Sequence, residues 1–136
     1  MIKKITSLIC VIAMLIGVTY AADLVNDPQS TTMNGYTVRV KSAIETGRRT
    51  GYAESIADRS VFSRSVNTTF YYLDTHNDVV GSTSKNANMS IGSMIDCRVS
   101  YTTLYSYVLI YKVSSSHNIT DPVLSMSWTP HTECTY

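Results

Sequence analysis

His76, His117 and His131 titrate near neutrality and are the first side chains to ask about acid–base or metal chemistry. His76 lies in Asp74-Thr75-His76-Asn77-Asp78, His117 follows Ser114-Ser115-Ser116, and His131 follows Pro130. All three fall where loops are expected. No pair has metal-ligand spacing on one element, and the Asp74–Asp78 stretch lacks the pattern of a calcium loop. It reads as turn residues satisfying their own backbone. Nucleophilic catalysis needs a Ser or Thr activated by a base. Ser and Thr are so abundant here that one of them near a histidine carries little weight, and no Gly-x-Ser-x-Gly elbow occurs. Of the 10 acidic residues, none is marked out as half of a hydrolytic pair. Asp96 and Glu133 each precede a cysteine and would meet only if those cysteines bridge. No catalytic residue, metal or cofactor is assigned.

Cys97 and Cys134 are the next candidates. A catalytic dithiol favours Cys-x-x-Cys, and zinc wants more cysteine or clustered histidine, so a structural disulfide is expected instead. A bridge closing a loop of about 38 residues is worth at most roughly 3.8 kcal/mol on chain-entropy grounds. The expectation presupposes export, which the first residues supply. Lys3 and Lys4 precede an apolar run from Ile5 to Val18, followed by Thr19-Tyr20-Ala21. That run, about 14 residues, is shorter than the roughly 20 of a spanning helix and fits a cleavable secretory signal over 1–21, of bacterial type. Cys10 leaves with it. Lys3 and Lys4 leave too, so 11 basic residues become nine against 10 acidic ones. Near-neutrality excludes an electrostatic footprint for nucleic acid. Arg48-Arg49, between Gly47 and Gly51, is the one tight basic pair. It reads as a solvated loop tip, with a protease-sensitive site or an anion contact as sharper alternatives.

Tyrosine is the more distinctive residue. The second half holds Tyr71, Tyr72, Tyr101, Tyr105, Tyr107 and Tyr111 with Trp128, against two Phe in the whole chain. Tyr combines apolar area with a polar tip, which suits a half-exposed contact surface. Tyr105, Tyr107 and Tyr111 share strand parity and, with Trp128, are the predicted binding residues. The partner is expected to be a protein, a glycan or a cell-envelope ligand.

The elements that must position these residues are strands. Residues 22–34 read as a flexible lead-in and 35–136 as a single β domain. Tyr36, Val38 and Val40 alternate with polar residues. Residues 47–65 show no clean face. Val66 to Leu73 is dense in branched and aromatic residues and, with Val79-Val80, reads as a hairpin across Asp74–Asp78. A second turn is expected at Lys85–Asn88. One long strand, bent near Gly92, is expected from Met89 to Tyr101, with Cys97 on its core side. A central strand follows to Val113, then a polar loop from Ser114 to Asp121, and a last strand through Trp128.

Six to seven short strands without a helical pattern predict an all-β fold, a small antiparallel β-sandwich or small barrel, stapled by one disulfide. Trp128 lies too close to Cys134 for the immunoglobulin arrangement. The function expected is a small secreted binding protein with a Tyr-rich sheet face. The alternatives are a secreted antibacterial or cytolytic effector, which alone would bring a membrane into play, and a small secreted hydrolase. The last requires at least two of the histidines at one pocket.

Overall fold

The computed structural model describes residues 22–57, 62–92 and 96–136. The expected signal, Met1 to Ala21, lies outside the described residues together with Cys10, as do 58–61 and 93–95. Among the described residues the chain forms β1 (Asp23–Met33), β2 (Tyr36–Glu45), β3 (Thr50–Ala57), β4 (Ser63–Leu73), β5 (Val79–Met89), β6 (Asp96–Thr102), β7 (Leu109–Asp121), β8 (Met126–Trp128) and β9 (His131–Thr135). Every pairing is antiparallel. One sheet runs β1-β2-β3-β6. The other runs β5-β4-β7, with β8 and β9 following one another along the far side of β7. The all-β antiparallel architecture is as expected, built from nine strands rather than six or seven.

The additional strands come from polar chain. The segment read as a lead-in is β1, paired with β2 from Asp23↔Glu45 to Met33↔Tyr36. It holds few apolar residues because it is an edge, and side chains fasten it. Asp27 Oδ2 accepts the Glu133 N–H at 2.9 Å, and Gln29 Nε2 donates to the His131 carbonyl at 2.7 Å. The polar loop expected at Ser114–Asp121 is the second half of β7. Lys85–Asn88 does not turn but continues β5. The long strand expected from Met89 to Tyr101 is two strands in different sheets, β5 and β6, parted by a turn at Gly92, whose φ of 80° suits glycine.

Inward residues form two apolar clusters. One contains Ile44, Ala53, Val66, Phe70, Val99, Ile110 and Val113. The other contains Met33, Val38, Val40, Ala57, Phe62 and Ile119. Between them lies a buried polar layer. Ser55 Oγ is 2.9 Å from His117 Nδ1, and His117 Nε2 is 2.8 Å from Thr132 Oγ1. Thr132 Oγ1 is 2.6 Å from Ser42 Oγ. Ser42 donates to Ser115 at 2.9 Å, and Ser115 donates to Thr68 at 3.0 Å. The chain of hydroxyls and imidazole runs through β3, β7, β9, β2 and β4, so it ties the two sheets through polar contacts that close on one another.

Cys97 and Cys134 are free, buried thiols, so the expected disulfide is absent. A bridge needs Cα atoms within about 7 Å. Cys97 is on β6 at one lateral side of the sandwich, whereas Cys134 is on β9, which packs over β1 and β2 at the other. At least two strand spacings of about 4.8 Å and a sheet gap of about 10 Å separate them. Both act as small apolar core residues. Asp96 and Glu133 therefore do not meet, and Glu133 pairs with Lys112 at 3.1 Å. Burial pushes the Cys134 thiol up to about 11 and raises that of Cys97. A thiol reagent is accordingly expected to leave native protein unlabelled and to modify both cysteines once guanidinium unfolds it. Reductant should not change the melting temperature. A melting point that drops on reduction would restore the bridge.

Candidate functional site

Three connections gather at one end of the sandwich, and each is fixed by its own hydrogen bonds. Between β4 and β5, Asp74 Oδ1 accepts the N–H groups of His76 at 2.8 Å and Asp78 at 3.1 Å, with Asn77 at a φ of 62°. Those backbone bonds, led by that from His76, hold the Asp74 carboxyl below its usual range. Between β2 and β3 the Gly47-Arg48 turn has positive φ at both residues. The Arg48 carbonyl accepts the Ile110 N–H at 2.7 Å, and the Arg48 guanidinium lies 3.9 Å over the Tyr136 ring. Arg49 exchanges main-chain and side-chain bonds with Thr103, its guanidinium donating to the Thr103 carbonyl at 2.8 Å. Arg48 thus clasps the two sheets at β7, while Arg49, exposed, extends the β3–β6 ladder of its own sheet.

The third connection, Thr103 to Val108, carries the aromatic side chains. The Thr103 N–H is held by the Arg49 carbonyl and the Val108 N–H by the Tyr105 carbonyl. This bend stands Tyr105 and Tyr107 side by side, centroids 5.3 Å apart and planes 16° from parallel. They are 58% and 53% exposed, and Leu104 beside them is 83% exposed. They wall a groove of about 390 Å³ whose other lining includes Tyr72, Asp74, Val80 and Tyr101. A column of rings supports that groove from below. Phe70, fully buried, lies 5.7 Å from Tyr101, which stacks on Tyr72 at 5.9 Å. Gly81 makes room for Tyr72, since a Cβ there would sit 3.0 Å from its hydroxyl.

Of the four residues predicted to bind, the fold brings together Tyr105 and Tyr107 only. Tyr111 does not continue their row. It is half-buried on the outer face of the β4–β7 pair beside Tyr71, at 6.3 Å, where an irregularity breaks the register. Trp128, on β8, pairs with Ile119 and packs against the cluster of Val38 and Phe62, away from the groove. Sequence parity missed the other walls, Tyr72, Tyr101, Leu104 and Val80, which come from different strands and connections.

The histidines are not assembled. His76 is in the exposed turn, and His131 is on the outer face of its sheet, 3.2 Å from Ser114 Oγ. His117 points inward, 2% exposed. Its contacts with Ser55 and Thr132 use the groups of a nucleophile–base pair, yet both hydroxyl residues are 0% exposed and no substrate reaches them. Burial, followed by the charge of His131, pushes the His117 pKa down to about 4. Its imidazole is therefore neutral at pH 7 and acts as a rivet. On the outer face of the first sheet the charges cancel. Lys41 contacts Asp23 at 2.9 Å, and Arg98 contacts Glu54 at 3.4 Å and Glu45 at 3.5 Å.

No protein-family model matches the sequence, and no curated protein proved similar to it.

Proposed function

We propose that this chain is a small secreted binding protein that takes its partner at the Tyr105–Tyr107 end of the sandwich, not on a sheet face. The stacked and exposed tyrosine pair carries the reading. Holding two rings in water at a fixed spacing gives up area that the core could use, and such rigid aromatic anchors are the usual centres of protein contacts. Leu104 and Val80 add exposed apolar area, while Asp74 and Arg49 supply one charge of each sign around it. An apolar centre with a balanced polar rim favours a polypeptide segment bearing an aromatic or aliphatic side chain. Secretion enters this reading through the signal segment.

Phage-displayed peptides selected on the immobilised mature chain provide the probe. The Tyr105→Ala/Tyr107→Ala variant is expected to bind the selected peptides at least about tenfold more weakly. Tyr111→Ala and Trp128→Phe should leave affinity within about twofold. Peptides that bind the double variant as they bind the original chain would overturn the reading.

A further inference from the structure

The two sheets have four edges, one of them shared by β8 and β9, and three of the four are blunted. β1 carries Pro28 in mid-strand, and its Asp27 and Gln29 are bonded to the main chain of β9. β8 and β9 have 3 and 5 residues and are interrupted at Pro130, and β9 packs against β1. β6 has 7 residues, and the carbonyl of its Ser100 is taken by Lys85 Nζ at 3.3 Å. β5 differs from all of these. It has 11 residues and no proline, its one irregularity at Val80 leaves Gly81 to Met89 regular, and among the described residues no strand pairs with its outer side. Its single charged side chain, Lys85, is turned onto Ser100 and the Tyr101 ring, so it does not guard the edge. A long unguarded edge is a template for another strand.

We propose that β5 is the self-association edge of this protein, joining two copies antiparallel about a two-fold axis at Ser84, so that one sheet runs through both. This goes beyond the binding reading and does not depend on it. The sequence of β5 selects both the partner and the register. An axis at Ser84 pairs the regular stretch symmetrically, from Gly81 with Ala87 of the second copy through to Ala87 with Gly81, and stops short of the irregularity at Val80. It sets Ser82 against Asn86, two groups that hydrogen-bond across strands, and Thr83 against Lys85. Moving the axis to Lys85 would set two ammonium groups directly opposite each other. Moving it to Thr83 would shorten the regular paired stretch to Gly81 through Lys85. A closed two-fold pair also covers the edge completely and stops at two copies.

Ser82, Ser84 and Asn86 share the outer face of their sheet, opposite Tyr71, Thr69 and Asn67, so changing them does not touch the core. Sedimentation of the mature chain from low to high micromolar concentration is expected to show a monomer–dimer equilibrium, with Ser84→Lys weakening the dimer at least about tenfold. The register has a covalent test, because only a residue on the axis faces its own copy. Under mild oxidation Ser84→Cys should form a disulfide-linked dimer rapidly. Ser82→Cys and Asn86→Cys should each do so poorly alone but readily when mixed. The buried Cys97 and Cys134 do not compete. A monomer throughout, whether or not it binds peptides, overturns the proposal. So does a dimer in which Ser84→Cys links no faster than Ser82→Cys.

Discussion

Acidification from pH 7 to pH 4 is expected to cost the fold about 3 kcal/mol through His117 alone. The side chain is 2% exposed, and burial with the neighbouring His131 charge lowers its pKa from 6.5 to about 4. Asp27 opposes this only in part. Between those two values the unfolded chain holds a proton on His117 that the folded chain refuses. Stability therefore rises with pH across this window and is lost as pH falls through 6.5 toward 4. At about 1.36 kcal/mol per pH unit the displacement gives the figure above. Guanidinium denaturation at pH 7 and pH 4.5 should show most of this loss in the original chain. His117→Gln should lose clearly less over the same interval. Parallel pH dependence in the two proteins would show that the buried imidazole does not carry the effect.

The reason for the sensitivity is structural. Thr132 Oγ1 is shared between His117 and Ser42, and each of these reaches one further hydroxyl, so the layer is satisfied only with a neutral imidazole. A proton on His117 makes both ring nitrogens donors and brings a charge between two apolar clusters. The layer joins the sheets at neutral pH and is their weak seam in acid.

How much of this was legible follows from which residues have an apolar partner. The β4–β5 hairpin was visible because Val66, Phe70 and Leu73 are dense in strand-forming types and Asp74–Asp78 is turn chemistry. β1 was not, because what makes Asp23–Met33 a strand is pairing and side-chain bonds to distant chain, not its own composition. The second half of β7 reads as a loop for a related reason. Ser115 and His117 point inward between Ser114, Ser116 and Asn118, so alternation of facing was not alternation of polarity. The tyrosine row failed by parity. Tyr105 and Tyr107 precede β7, and the irregularity beside Tyr111 resets which side chains face outward. A common sign of period two cannot survive a bulge. The disulfide failed by topology, since an even cysteine count carries no information about which side of a sandwich each strand occupies.

Phe70→Ala is expected to be the most damaging single change, costing about 3–5 kcal/mol. Phe70 is 0% exposed, and the wall opposite it is Gly51, where a Cβ would sit 3.2 Å from the Phe70 ring and 2.8 Å from Val113. Glycine has no side chain with which to fill the space left by a lost ring, so the cavity stays open and the cost falls toward the upper end. A domain of this size is stable by about 5–15 kcal/mol, which makes the loss a large fraction of the whole. Phe70→Leu retains much of the volume and should cost about 1 kcal/mol. It nevertheless removes the ring on which Tyr101 rests at 5.7 Å, and Tyr101 in turn supports Tyr72 in the groove wall. Val113→Ala excavates the same cluster without touching that column. Near-ultraviolet dichroism should therefore fall more in Phe70→Leu than in Val113→Ala, even where denaturation shows Val113→Ala to be no more stable. Peptides that engage the Tyr105–Tyr107 groove should weaken in the same order. If the spectrum and the affinity follow stability alone, Phe70 fills space and does not hold the groove in shape.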